Sequence, residues 1–277
     1  MGIFTAILLG IIEGITEFLP VSSTAHLTIA EKLLGYNIEH PDIVAFTAII
    51  QTGATLATLV YFRSDILRIV SGWLRGLFKA RERGSDYRFG WAVIIGTIPI
   101  AIVGLLFKDQ IEHGLRNLWF VAAALILWSG VMWAADRADK GRRHEKDTTW
   151  RDTLFIGVIQ CLALIPGVSR SGATISAGLF RGLDRVAVTR LSFFLAIPAL
   201  LAASALEAVS KASDISNGVG WTATLTATAV CFVAAYIVIA WLLNFVAKHN
   251  FTSFVIYRVA LGVLLIILLL TGALSAT

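Results

Sequence analysis

Residues 13–26, EGITEFLPVSSTAH, interrupt an apolar run that begins near residue 2 and continues to about residue 34. Two glutamates, a proline and three consecutive hydroxyl residues divide that run into halves. Each half is too short to cross a bilayer core, which takes about 20 apolar residues in a helix. A second run, 153–183, is divided in the same way by PGVSRSGAT at 166–174. Both segments are therefore read as re-entrant helix-turn-helix hairpins. Around them, apolar stretches of spanning length fall at 43–62, 89–107, 117–135, 190–209, 220–245 and 254–274. The expected fold is an all-α polytopic membrane protein with six transmembrane helices and two re-entrant hairpins.

Composition points the same way. The 277 residues are 57% hydrophobic and 15% charged, with a mean hydropathy of +0.79, whereas soluble domains are charged at about one residue in four. That balance excludes a disordered chain and a collagen-like one. Cys161 and Cys231 both lie in apolar stretches, so neither a disulfide scaffold nor a CxxC metal site is expected. The net charge of +5 belongs to loops of a membrane protein, and no nucleic-acid partner is expected. Because Glu13 and Glu17 stand in the first apolar run, it does not read as the core of a cleaved signal peptide.

Basic residues set the orientation. Of 23 lysines and arginines, 17 fall in 63–88, 136–152, 181–190 and 246–253, against four in 31–42, 108–116 and 211–219. The rich side is cytoplasmic by the positive-inside rule, which turns both termini outward. Sliding the chain by 147 residues aligns Gly10-Ile-Ile-Glu13 with Gly157-Val-Ile-Gln160, and Val21-Ser22-Ser23 with Val168-Ser169-Arg170. A single membrane domain of two units follows, about 1–146 and 147–277, each a hairpin and three spans. An odd number of spans between the hairpins makes them enter from opposite faces, the plan of an inverted-topology repeat whose broken helices meet near the midplane.

Ionisable groups within a membrane are costly and mark function by default. Here they are Glu13, Glu17, His26, Arg170 and Arg258. Glu13 and Glu17 are four residues apart, on one helical face, and two such carboxylates call for an arginine or a hard divalent cation between them; Mg²⁺ takes one or two carboxylates together with phosphate oxygens. Ser22, Ser23 and Thr24 follow Pro20 as an N-cap signature; such a helix start also binds phosphate, and a hydroxyl there can attack it. His26, one turn on, suits proton transfer near neutral pH. Ser169, Arg170, Ser171, Gly172 and Thr174 form the counterpart loop, with an arginine fork for phosphate oxygens or for neutralising a glutamate. Arg258 is open between a structural ion pair and a second phosphate contact, and Gln51 and Thr52 are polar lining of the first span.

These two motifs together closely resemble the bacterial undecaprenyl-diphosphatase family, the bacitracin-resistance type of membrane phosphatase, and the likeness extends over essentially the whole chain, including Ile256-Tyr257-Arg258. The resemblance implies hydrolysis of undecaprenyl diphosphate to the monophosphate carrier lipid of cell-wall synthesis, a divalent cation (Mg or Ca), a multi-pass location in the bacterial inner membrane, and a site opening to the outer face. It implies Glu13 and Glu17 as the acidic pair, Ser23 and His26 as candidate nucleophile and proton-transfer groups, and Ser169, Arg170, Ser171 and Thr174 as the diphosphate loop. Ala25 stands where the family often has glycine. The acid-phosphatase-like lipid phosphatases are excluded, since the chain has no Arg-Pro and Ser176 stands where their motif needs histidine. A polyprenyl-phosphate flippase is the competing reading, because inverted repeats also build carriers. The partners expected are the lipid diphosphate and the bilayer, with a homodimer allowed for.

Overall fold

The computed structural model describes residues 1–107, 117–139 and 141–276. The 108–116 loop assigned to the outer side lies outside the described residues. Among the described residues there are helices and no strands. In chain order they are α1 (Ile3–Thr16), α2 (Ser23–Leu33), α3 (Pro41–Tyr61), α4 (Arg63–Phe78), α5 (Ser85–Leu106), α6 (Leu118–Ala138), α7 (Trp150–Gln160), α8 (Arg170–Phe180), α9 (Arg185–Ser210), α10 (Ala212–Asn217), α11 (Trp221–Val246) and α12 (Thr252–Leu270).

Six of these, α3, α5, α6, α9, α11 and α12, are long and apolar enough to cross a membrane, and they coincide with the six spans read from the sequence. Large apolar side chains such as Leu105, Ile237 and Ile256 are exposed along them, as lipid-facing surfaces require. The chain is a multi-pass membrane protein. α9 starts at Arg185, ahead of the expected residue 190, because the Asp184 carboxylate caps it by accepting from the Ala187 N–H at 2.7 Å. The basic segment 63–88 contains a helix as well as loop. In α4 the exposed Leu67, Val70 and Leu74 recur at helical spacing, while Gly72 and Gly76 let the helix close on Asp86 and Tyr87 at the start of α5.

The segments expected as hairpins are each two short helices. α1 has 14 residues and α2, α7 and α8 have 11 each, so at 1.5 Å per residue the longest reaches about 21 Å, short of a core of about 30 Å. α1 packs on α11 and α7 packs on α5. Both contacts depend on a glycine: a Cβ on Gly10 would come 2.4 Å from the Ala227 carbonyl oxygen, and one on Gly157 would come 2.2 Å from that of Gly96. Gly10 and Gly157 are 147 residues apart. The turns match too. Ser22 (φ 75°) and Ser169 (φ 76°), again 147 apart, are the two non-glycine residues with positive φ among the described residues. Each caps the helix it precedes, accepting from Ala25 N–H at 3.4 Å and from Gly172 N–H at 3.1 Å.

Candidate active site

The two turns meet. Glu17 ends α1, and its carboxylate is 5% exposed. Oε1 accepts from Arg170 Nη2 at 2.9 Å, across from the second turn. Oε2 accepts from Ser23 Oγ at 2.7 Å and from Gln51 Nε2 of α3 at 3.0 Å. Arg170 is further fixed by Nη1 donating to the Ser192 carbonyl at 3.1 Å and by the Phe18 ring, whose centroid is 5.8 Å from Cζ. A buried carboxylate with this many donors is held in one orientation.

Glu13 lies one turn before Glu17 and is 1% exposed. Its Oε1 and the Nε of Arg170 are buried polar atoms without a hydrogen-bond partner. Two carboxyl groups thus share one guanidinium. An open carboxylate oxygen on Glu13 and an open N–H on Arg170, with Ser23 and Arg170 both bonded to Glu17, are groups that a cation and a phosphate would complete. Among the described residues no cluster of three or more His, Cys, Asp or Glu side chains is arranged to hold a metal. The chain therefore offers two carboxylates, and further ligands would be phosphate oxygens and water, which suits Mg²⁺.

His26 is turned elsewhere. Its Nδ1 is 2.7 Å from the Ser22 carbonyl oxygen and its Nε2 is 2.6 Å from the Tyr257 hydroxyl, with the two rings stacked at 5.6 Å. In the neutral ring this network assigns the proton to Nδ1, so the Tyr257 O–H donates to Nε2. The Ser23 hydroxyl that sequence spacing sets beside His26 is thus paired with Glu17. Thr24 is exposed in the first turn of α2 and joins none of these contacts. Ser171 Oγ bridges the two turns by donating to the Leu19 carbonyl at 2.9 Å, and lies 3.1 Å from Ser169 Oγ. Thr174 Oγ1 donates to Ser192 Oγ at 2.7 Å, and Gly172 supplies the N–H that Ser169 caps. Arg258 is 0% exposed. Of its five N–H groups, four meet protein acceptors: Ser129 Oγ and the carbonyls of Pro20, Leu125 and Gly167. Among the described residues it pairs with no carboxylate, so the expected ion pair is not found; its contacts tie the two turns to α6.

A family model described as bacitracin resistance protein BacA matches residues 6–264. The chain belongs to the BacA family. This BacA-family chain is 62% identical over 278 residues to a protein of Frankia casuarinae named undecaprenyl-diphosphatase 3, covering 100% of both. It is 56% identical to an undecaprenyl-diphosphatase of Cutibacterium acnes and 47% identical to one of Mycolicibacterium gilvum, each over 98% of both chains. Both turns and the Tyr257-Arg258 pair fall within the matched length.

Three contacts of this BacA-family site are not legible in the sequence. Ser192 and Ser129 are single small polar residues inside apolar spans, and a buried serine usually only bonds its own helix. Tyr257 stands out in the sequence only as the neighbour of Arg258, and nothing local marks it as the partner of His26, 231 residues away.

Proposed function

We propose that this chain hydrolyses undecaprenyl diphosphate to undecaprenyl phosphate and inorganic phosphate, returning carrier lipid to cell-wall glycan synthesis. The observation that carries this reading is the Ser23 hydroxyl on the Glu17 carboxylate at 2.7 Å, with Arg170 of the other turn on the same carboxylate. A hydroxyl on a base, beside a guanidinium, is equipment for phosphoryl transfer. A flippase for polyprenyl phosphate needs the guanidinium and has no use for the pair.

Arg170 and the N-terminal amides of α2 and α8 hold the diphosphate, the open Nε taking a phosphate oxygen. Ser23 Oγ bonds to the terminal phosphorus while its proton passes to Glu17, and the bond to the bridging oxygen breaks to release undecaprenyl phosphate. Glu17 releases that proton to solvent; water then attacks the phosphoserine, Glu17 takes a proton from the water and returns it to Ser23 Oγ as the phosphorus–Oγ bond breaks, and phosphate departs. His26 Nε2 accepts from the Tyr257 hydroxyl at the half-exposed side of the site, which holds the imidazole in one tautomer. A divalent cation held by Glu13 and Glu17 would supply charge neutralisation for the phosphate oxygens.

The hairpins are read as re-entrant and the two units, about 1–146 and 147–277, as inverted copies within one inner-membrane domain. The short helices, the matched turns and the one-sided basic loops support this, and it opens the site to the outer face. Phosphate release and undecaprenyl phosphate formation by the purified protein test the activity; an inert protein that still binds the lipid would favour the carrier. Chelation should abolish release and Mg²⁺ or Ca²⁺ restore it, whereas full activity after chelation removes the cation. For orientation, cysteines near Glu39 should react with an impermeant thiol reagent in intact cells and cysteines in 63–88 should not; the reverse pattern turns the site to the cytoplasm.

A further inference from the structure

We propose that Arg258 is a positioning residue that locks the two turns together through one carbonyl of each, and so sets how Ser23 and Glu17 meet Arg170. Its Nη1 donates to the Pro20 carbonyl at 3.2 Å and its Nη2 to the Gly167 carbonyl at 2.8 Å. Pro20 and Gly167 are 147 residues apart, the separation that relates Ser22 to Ser169 and Gly10 to Gly157. The guanidinium therefore grips the two turns at equivalent places. Each gripped carbonyl stands three residues before a reactive group, Pro20 before Ser23 and Gly167 before Arg170.

The remaining contacts fix the fork to the span beside it. Nε donates to Ser129 Oγ at 3.1 Å and Nη2 to the Leu125 carbonyl at 3.4 Å, both on α6. A planar guanidinium can reach acceptors in several directions at once, whereas a lysine places all its donors on one atom. Burying a charge without a carboxylate partner is expensive, and an apolar side chain would fill the space at lower cost. What the arginine adds is the double grip, together with a fixed positive charge behind the place where phosphate charge would collect. Four of its N–H groups are occupied and none of its surface is exposed, so it acts through the turns and not by touching substrate.

The catalytic half of this proposal rests on the diphosphatase reading; the mechanical half does not, and the test separates them. Spin labels at Ile15→Cys and Leu162→Cys, both exposed and themselves 147 residues apart, report the separation of the turns in a background where Cys161 and Cys231 are replaced by alanine. The parent should give one narrow distance distribution. Arg258→Lys should broaden it or add a longer component, and should lower kcat for undecaprenyl diphosphate by roughly 100-fold, the scale of a displacement of about 1 Å, with KM changed by less than about threefold. Ser129→Ala, which removes one contact and touches neither turn, should broaden the distribution less and slow turnover several-fold; it carries the test if the lysine variant does not fold. An unchanged distribution in the variants overturns the lock. A raised KM with kcat retained would make Arg258 a direct phosphate contact instead, and a broadened distribution with normal kcat would overturn its role in setting the site. A parent that releases no phosphate, with variants that still broaden, would fail the diphosphatase reading and leave the lock standing.

Discussion

The α1–α2 and α7–α8 hairpins share a frame and divide the chemistry. Position by position at an offset of 147, the frame repeats: glycine at Gly10 and Gly157 where a neighbouring helix closes in, and a left-handed serine cap at Ser22 and Ser169. The reactive positions do not repeat. Glu13 faces Gln160, Glu17 faces Leu164, Ser23 faces Arg170 and His26 faces Ala173. Two acidic hairpins meeting in an apolar interior would repel each other, and two basic ones equally; one of each sign attracts, and a phosphate group needs both a cation to hold it and a nucleophile to attack it. The surroundings differ as well. Residues 171–179 of α8 are all buried, a wall of small side chains, whereas α2 is tied by polar contacts such as His26 to Tyr257 and Thr47 to Glu31. The more deeply buried hairpin carries the arginine, and the other carries the serine proposed as nucleophile.

The comparison breaks first at Ser23. If the first hairpin makes the new bond, Ser23→Ala should lower kcat by about 10³-fold or more while KM moves little, and the parent should be trapped as a phosphoenzyme that the variant does not form. A variant keeping a tenth of the parent rate would transfer the attack to water. Arg170 comes next, from the other side. Arg170→Lys keeps the charge and loses the fork, and a loss of about 2–4 kcal/mol in transition-state stabilisation is expected; a near-normal rate measured in kcat/KM would reduce Arg170 to the structural partner of Glu17.

Much of this division is legible in the amino-acid sequence, for a physical reason. A bilayer permits few ionisable side chains, so Glu13, Glu17, His26, Arg170 and Arg258 stand out, and the proline and glycine at the breaks locate the turns. The six spans are readable because length and hydropathy nearly suffice to define them. Pairings are another matter. Ser23 and His26 share a helical side, yet whether a hydroxyl bonds to a histidine one turn along or to a glutamate back across the turn depends on the left-handed φ at Ser22, which residue type does not announce. Arg258 is visible as an anomaly, but three of its four acceptors are backbone carbonyls, which every residue possesses. α4 is hidden because seven basic residues in 63–88 read as loop charge and mask a stripe of apolar residues at helical spacing.

A smaller effect is expected where the first hairpin leans on α12. Tyr257→Phe keeps the ring stacked on His26 and removes the O–H on Nε2, a single hydrogen bond contributing about 0.5–1.5 kcal/mol. Turnover should fall by a factor of a few and stability by a similar free energy, read from activity and thermal unfolding in detergent. No change in either would mean that the hydroxyl merely sits beside the ring.

The frame itself predicts the smallest effect. Ser22 and Ser169 adopt φ of 75° and 76°, a region that costs an L-residue about 1–2 kcal/mol and glycine almost nothing. Ser22→Gly and Ser169→Gly each relieve that strain, forfeit a cap at a few tenths of a kcal/mol, and loosen the unfolded chain by about 0.4–1 kcal/mol. The three effects nearly cancel, leaving a shift between about −0.5 and +1.4 kcal/mol, positive in favour of the variant. If the two turns are equivalent pieces of one frame, thermal unfolding should move by the same small amount in both, and a difference well above 1 kcal/mol would show that they are not. Their rates should nevertheless separate. The Ser22 carbonyl that faces His26 survives the change to glycine, whereas Ser169 Oγ lies 3.1 Å from the Ser171 hydroxyl that joins the turns through the Leu19 carbonyl. Ser169→Gly should therefore be the slower enzyme. The opposite order would locate the fragile joint in the hairpin that carries the nucleophile rather than in the one that carries the arginine.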